Sequence, residues 1–308
     1  MRKLIFNLFF LGLMTAATSA IIVMISPHDT NNYLAAAIDK HRLLYSVEFP
    51  RIILVGGSNL AFSVDSRKIQ EHFGMPVINM GLHADVGLRF MLNEVESALK
   101  NGDIVVIIPE YEHFYQISVD GLPRELGSVI KFCPECISGI STPEQVVNVI
   151  GGFFQMSEGD ILRSIQSSEK PNSVYFRQAF NEQGDLISHL KKADKLALNN
   201  HVYDIKIISP NPAISLLNLF YRSRNAADAR IFFMFPAIPV DEYNAQNDKI
   251  NAFYEFLASE LKIPILGRPQ DFLYPEDFFY DTVYHMNRIG RDARTDHIIE
   301  LLSVVLQK

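Results

Sequence analysis

Three residues of the kinds that perform acyl chemistry stand far apart in this 308-residue chain: Ser58 after Gly56-Gly57, then Asp281 and His285 near the carboxyl terminus. A serine hydroxyl attacks a carbonyl only when a base takes its proton. An imidazole titrating near neutral pH suits that task, and a carboxylate can fix its tautomer. Together they would form and resolve a serine ester. Two of them have a plainer reading as well: Ser58 as the cap of a following helix, His285 as a cap or surface residue before the last one. Asn59 could help position the serine turn. Glu110 and Tyr111, in the run Glu110-Tyr111-Glu112-His113, could respectively orient an acceptor hydroxyl or imidazole and donate a hydrogen bond. The alternative for that run is a polar strand end bonding its own loops. His83 and Asp85 could touch substrate, although Asp85 also suits a helix cap.

These residues need elements to hold them. Residues 51–55 are a short, almost continuous apolar run stopped by two glycines, the pattern of a strand buried on both faces. Ser58 then lies at the carboxyl end of a central strand, the edge where open α/β sheets bind ligands. The spacing predicts a helix over 65–73, a second strand over 76–80, a helix over 86–99, and a third strand over 104–108. A fourth strand follows at 230–235, a fifth at 263–266, and a last helix at 291–306. Strands alternating with helices predict an α/β fold with a five-stranded parallel sheet. Residues 116–228 break this rhythm and read as a mostly helical insertion between strands three and four, long enough to roof the site; helical pieces fall at 142–154 and 213–221. Residues 33–44 read as a helix that packs back on the body.

The formal charge of −7 and the lack of a basic run give no footprint for nucleic acid. Arg2 and Lys3 precede an apolar stretch over residues 4–25, long enough as a helix to cross about 30 Å of hydrocarbon. Residues 1–28 are therefore expected to be a transmembrane anchor with its amino terminus in the cytoplasm, placing 29–308 on the periplasmic side. A cleaved signal peptide, cut near Thr18-Ser19-Ala20, is the competing account, and it exports the body too. Cys133 and Cys136 suit a small local disulfide, which closes too short a loop to stabilise much. Plain thiols, a redox role and a metal site remain open, but zinc would need two more ligands and none stands at ligand spacing.

Taken together, the motifs resemble the SGNH or GDSL-like serine esterases and acyltransferases. Val55-Gly-Gly-Ser58 is similar to that family's first block, Asn79-Met-Gly81 to its second, and Asp281 with His285 to its last. The resemblance implies a flavodoxin-like three-layer α/β/α fold, with Ser58 as nucleophile, His285 as general base and Asp281 orienting it. It also implies a Gly81 N–H in the oxyanion hole. The sequence from Tyr284 to Thr295 looks most like the membrane-anchored branch, which includes polysaccharide O-acetyltransferase components and the teichoic acid D-alanyl-transfer protein. That branch implies a cell-envelope glycan acceptor and a multi-pass membrane partner delivering the acyl group, with no metal or organic cofactor. Two departures stand out. Strand three ends in Ile108-Pro-Glu-Tyr where the family carries Gly-x-Asn-Asp, and Asp281 precedes His285 by four residues rather than three. The first departure favours a different reading, an SGNH-like scaffold or carbohydrate-binding subunit with little catalysis.

Overall fold

The computed structural model describes residues 30–155, 173–192, 198, 201–202, 204–225 and 228–306, together with 2–3, 6–7, 10–12 and 14. β1 (Ile52–Val55) and β3 (Ile104–Ile107) are apolar throughout and buried on both faces, as strands covered by helices must be. β2 (Val77–Asn79) and β4 (Arg230–Phe233) flank them in the order β2-β1-β3-β4, all parallel, with Ile53 opposite Ile78 on one side and Val105 on the other. This is the expected α/β sheet with one strand fewer. The fifth, expected over 263–266, is reduced to a single parallel bridge beside β4, Phe233 to Ile265. Pro264 brings no N–H to a ladder and Gly267, at φ +79°, turns the chain away. A separate two-stranded pairing of β5 (Ile238–Pro239) with β6 (Leu273–Tyr274) had no periodic signal.

Two groups of helices cover the sheet. α2 (Ser58–Ser63) and α3 (Ser66–Phe73) join β1 to β2 and pack against the last helix, α10 (Arg288–Leu306). α4 (Leu88–Ala98) joins β2 to β3 and packs against α1 (Ala37–Ser46) and α7 (Pro212–Asn225). Sequence periodicity predicts the second of these, over 65–73, but reads Ser58 as part of a turn; instead a short helix, α2, starts at Ser58 itself. Val64, extended, breaks it, and the Asp65 side chain accepts from the Lys68 N–H to start α3.

Between β3 and β4 the described chain is largely helical, as anticipated. α5 (Pro123–Phe132) lies so close to α6 (Pro143–Gln155) that a Cβ on Gly152 would stand 1.9 Å from the Pro123 carbonyl oxygen. Cys133 and Cys136 form a disulfide. α8 (Val240–Ala245) and α9 (Asn247–Glu260) follow β5. The expected membrane anchor over 4–25 falls mostly outside the described residues. Among those described, no helix is long and apolar enough to cross a membrane.

α1 does fold back on the body, through buried charge. Lys40 is almost fully buried and donates from Nζ to the carbonyls of Asn79 at 2.7 Å and Gly184 at 2.6 Å, beneath the Phe180 ring. Burial pushes its ammonium down to about 7 from an ordinary 10.5. Between those values the unfolded chain binds a proton that the folded chain does not, so this site makes stability rise with pH from about 7 to 10.5. Lys40→Met is expected to remove a slope of up to about 1.4 kcal/mol per pH unit in that window. Urea denaturation at pH 7, 8, 9 and 10 reads it directly.

Candidate functional site

The end of β1 comes close to the end of β3, and two glycines make that possible. A Cβ on Gly56 would meet the Ile108 carbonyl at 2.3 Å, and one on Gly57 would meet Glu110 Oε1 at 2.4 Å. With no Cβ in the way, the Glu110 carboxylate accepts from the Gly57 N–H at 3.2 Å and the Asn59 N–H at 3.0 Å, one on either side of Ser58. Ser58 thus opens α2 partly exposed, above a buried carboxylate. Its own N–H has no acceptor among the described residues.

The histidine comes from the loop entering α10. A turn closed by Thr282, whose carbonyl and hydroxyl both accept from the His285 N–H, takes up the extra residue between Asp281 and His285. His285 Nδ1 consequently reaches Asp281 Oδ1 at 2.8 Å, leaving Nε2 for a proton from elsewhere. Phe62 stacks on the imidazole, with centroids 3.8 Å apart and planes 7° from parallel. Ser63 fastens the same two elements: its hydroxyl donates to the Tyr284 carbonyl at 2.8 Å and accepts from the Met286 N–H at 3.0 Å. Ser58 and Phe62 are four apart on α2 and share a face, roughly 5–6 Å between Cβ atoms. His285 therefore lies over the face that carries Ser58. The Ser58 hydroxyl has no hydrogen-bond partner among the described residues, His285 included. Such bonds are commonly long in ligand-free enzymes and tighten on a substrate.

No family model matches the chain, and no curated protein matches it.

Two of the sequence-derived site residues, Gly81 and Tyr111, take other places than expected. The Gly81 N–H, anticipated in an oxyanion hole, donates to Asn79 Oδ1 at 2.9 Å, an acceptor that sequence reading did not weigh. Gly81 itself is required by packing, since a Cβ there would lie 2.7 Å from the Ala61 nitrogen. Asn59 is fully buried and faces no cleft. Its amide donates to the Ile108 carbonyl at 2.9 Å and accepts from Arg294 at 2.9 Å, so it positions the serine turn. Tyr111 packs among Phe235 and Phe253 in the core, where its hydroxyl is buried with no partner among the described residues. Glu110 touches backbone on both sides of Ser58, and its Oε2 stands 3.5 Å from the His113 ring nitrogen, the polar strand end that the sequence offered as the alternative. His83, not Asp85, supplies the cap, accepting at Nδ1 from the Asp85 N–H.

Three residues to which sequence reasoning gave no role in the site complete it. Tyr175, in the insertion, donates its hydroxyl to Asp281 Oδ2 and stands 3.2 Å from His285 Nδ1. Burial and the Asp281 charge raise its pKa, which keeps it a donor. Burial also pushes the Asp281 carboxyl up, but the bonds from His285 and Tyr175 outweigh that and hold it below its usual range. His189, likewise from the insertion, packs on Phe62 and donates from Nε2 to the Met286 carbonyl at 2.9 Å; burial pushes it down to about 4, so it is neutral at pH 7. Arg294 on α10 is fully buried and grips Asn59 through its carbonyl at 2.8 Å and its side-chain oxygen at 2.9 Å. A tyrosine and a histidine in a long irregular segment, and an arginine in a C-terminal helix, give no local signal. Only the fold brings them here.

Proposed function

We propose that this chain is a membrane-anchored, extracytoplasmic serine acyltransferase or esterase of the SGNH type, with that family's flavodoxin-like three-layer fold. Its substrates are acyl groups, acetyl foremost, of cell-envelope or exported polysaccharide. The observation that carries this reading is the Asp281–His285 pair, bonded at 2.8 Å and stacked through Phe62 onto the helix that starts at Ser58. In the forward step Ser58 Oγ bonds to the donor carbonyl carbon while its proton passes to His285 Nε2. The tetrahedral adduct collapses, the donor oxygen leaves with that proton, and an acyl-serine remains. A sugar hydroxyl or water then bonds to the acyl carbon as its proton passes to His285, the bond from that carbon to Ser58 Oγ breaks, and Ser58 takes the proton back. Asp281 and Tyr175 hold the imidazole in one tautomer throughout. The Ser58 N–H is the open oxyanion donor, and Gly81 joins it if Asn79 yields. The apolar segment 4–25 anchors the chain, and a multi-pass membrane protein delivers the acyl group, as the resemblance implies.

A second reading, a scaffold or carbohydrate-binding subunit of an envelope assembly, is favoured by one observation. Glu110 and Asn79 between them occupy the N–H groups of Gly57, Asn59 and Gly81, and one lost oxyanion donor costs about 100- to 1000-fold in rate. Incubating the detergent-purified full chain with p-nitrophenyl acetate and an oligosaccharide acceptor separates the readings. Acetylated sugar identifies a transferase and free acetate above background an esterase; neither, from folded protein, favours the scaffold. In the active case Tyr175→Phe, which removes one bond to a charged group, is expected to slow turnover roughly 10- to 100-fold. An unchanged rate would show that Tyr175 does not steady Asp281.

A further inference from the structure

Cys133 and Cys136 lie at the end of α5 and in the 3-10 helix Pro134–Gly139, and sequence spacing leaves them two ligands short of a metal site. The fold brings up a third. His41, on α1, places a ring nitrogen within 4.8 Å of both sulfurs. Its Nδ1 is hydrogen-bonded to Glu94 Oε2 at 2.8 Å, and Ser138 Oγ donates to Glu94 Oε1 at 2.9 Å. That leaves Nε2 for a metal, with a buried carboxylate behind the ring to fix tautomer and orientation, as in most metal-ligating histidines. The His41 side chain is 16% exposed, which gives solvent and an ion access to the ring.

We propose that Cys133, Cys136 and His41 form a redox-gated site for a thiophilic divalent cation, zinc being the best match to two sulfurs and an imidazole. The disulfide closes the site. A dithiol reductant opens it: two electrons and two protons break the S–S bond into two thiols while the dithiol becomes a disulfide. Zinc then displaces the two thiol protons, forms two Zn–S bonds and one Zn–N bond, and keeps a water as fourth ligand. Zn–S of about 2.3 Å and Zn–N of about 2.0 Å put tetrahedral ligand atoms roughly 3.5–3.8 Å apart. The present cluster lies within 4.8 Å, so the imidazole has to close on the sulfurs by up to about 1 Å to reach that spacing. The ion would tie α1 to α5 beside Glu94 of α4, and nothing in it depends on what Ser58 does.

The test uses the full chain in detergent, reduced with a phosphine, freed of reductant without air and titrated with cobalt(II). One equivalent is expected to bind, with thiolate-to-cobalt charge transfer and the visible bands of a tetrahedral ion, and zinc should displace it. Oxidised chain should show neither. Cys133→Ser with Cys136→Ser should abolish the charge-transfer band, and Glu94→Gln, which keeps every ligand, should weaken binding about 10- to 100-fold. Folding of each variant is read by circular dichroism. Reduced, folded wild type with two reactive thiols and no cobalt binding would overturn the proposal. So would binding that His41→Ala leaves unchanged.

Discussion

Ser58→Ala and His285→Ala are each expected to lower kcat for an activated acyl ester by about a millionfold, and the double change is expected to cost no more than either one. A nucleophile without its base, or a base without its nucleophile, performs no covalent step, so the two losses do not add. The His285 ring is held on one edge by Asp281 at 2.8 Å and on one face by Phe62 at 3.8 Å, with Nε2 left as its only unbonded nitrogen. A serine acting only as the first residue of α2 behaves differently. Gly57 is the N-cap and the Ser58 hydroxyl caps nothing, so its loss would change stability by less than about 0.5 kcal/mol and leave ester turnover untouched. Measuring kcat and the urea midpoint on the same preparations separates the two roles.

Asp103→Ala is expected to cost about 3–5 kcal/mol of stability, the largest effect on folding from one side chain away from the site. Asp103 is fully buried and accepts from four donors: the Arg51 N–H at 2.9 Å, Nε at 3.2 Å, Nη2 at 2.6 Å, and the Lys100 N–H at 3.0 Å. Arg51 is 1% exposed, and without the carboxylate its guanidinium keeps only the carbonyls of Leu44 and Ala98. A buried cation without its counter-charge is much worse than no pair. The Asp103 cluster precedes β3 and Arg51 precedes β1, so the same change loosens the start of both central strands. Urea unfolding should show a lower midpoint with an unchanged slope. A loss below about 1 kcal/mol would mean that water reaches Arg51.

What could be read from sequence follows the range of the forces involved. Runs such as 52–55 and 104–107 announce central strands because burial on both faces leaves no room for polar residues. The Gly-Gly-Ser turn and the Asp281–His285 pair were visible for the same reason: each is local. Side-chain partners were not visible. Asn59 sits next to Ser58 in the chain, yet Arg294 decides where its amide oxygen goes. Arg294 is 235 positions from Asn59, and Tyr175 is 106 from Asp281. Contacts across such separations have no periodicity to betray them. The third metal-type ligand, His41, escaped notice in the same way.

The most direct measurement is the intact mass of the full chain after exposure to a serine-reactive phosphonate, beside Ser58→Ala and His285→Ala. One adduct per wild-type chain, absent from both variants, is the expected result and would establish a serine activated by this histidine. Folded wild type that takes no adduct, alone or with an acyl-delivering membrane partner, would contradict the acyl-enzyme reading and leave the scaffold in its place.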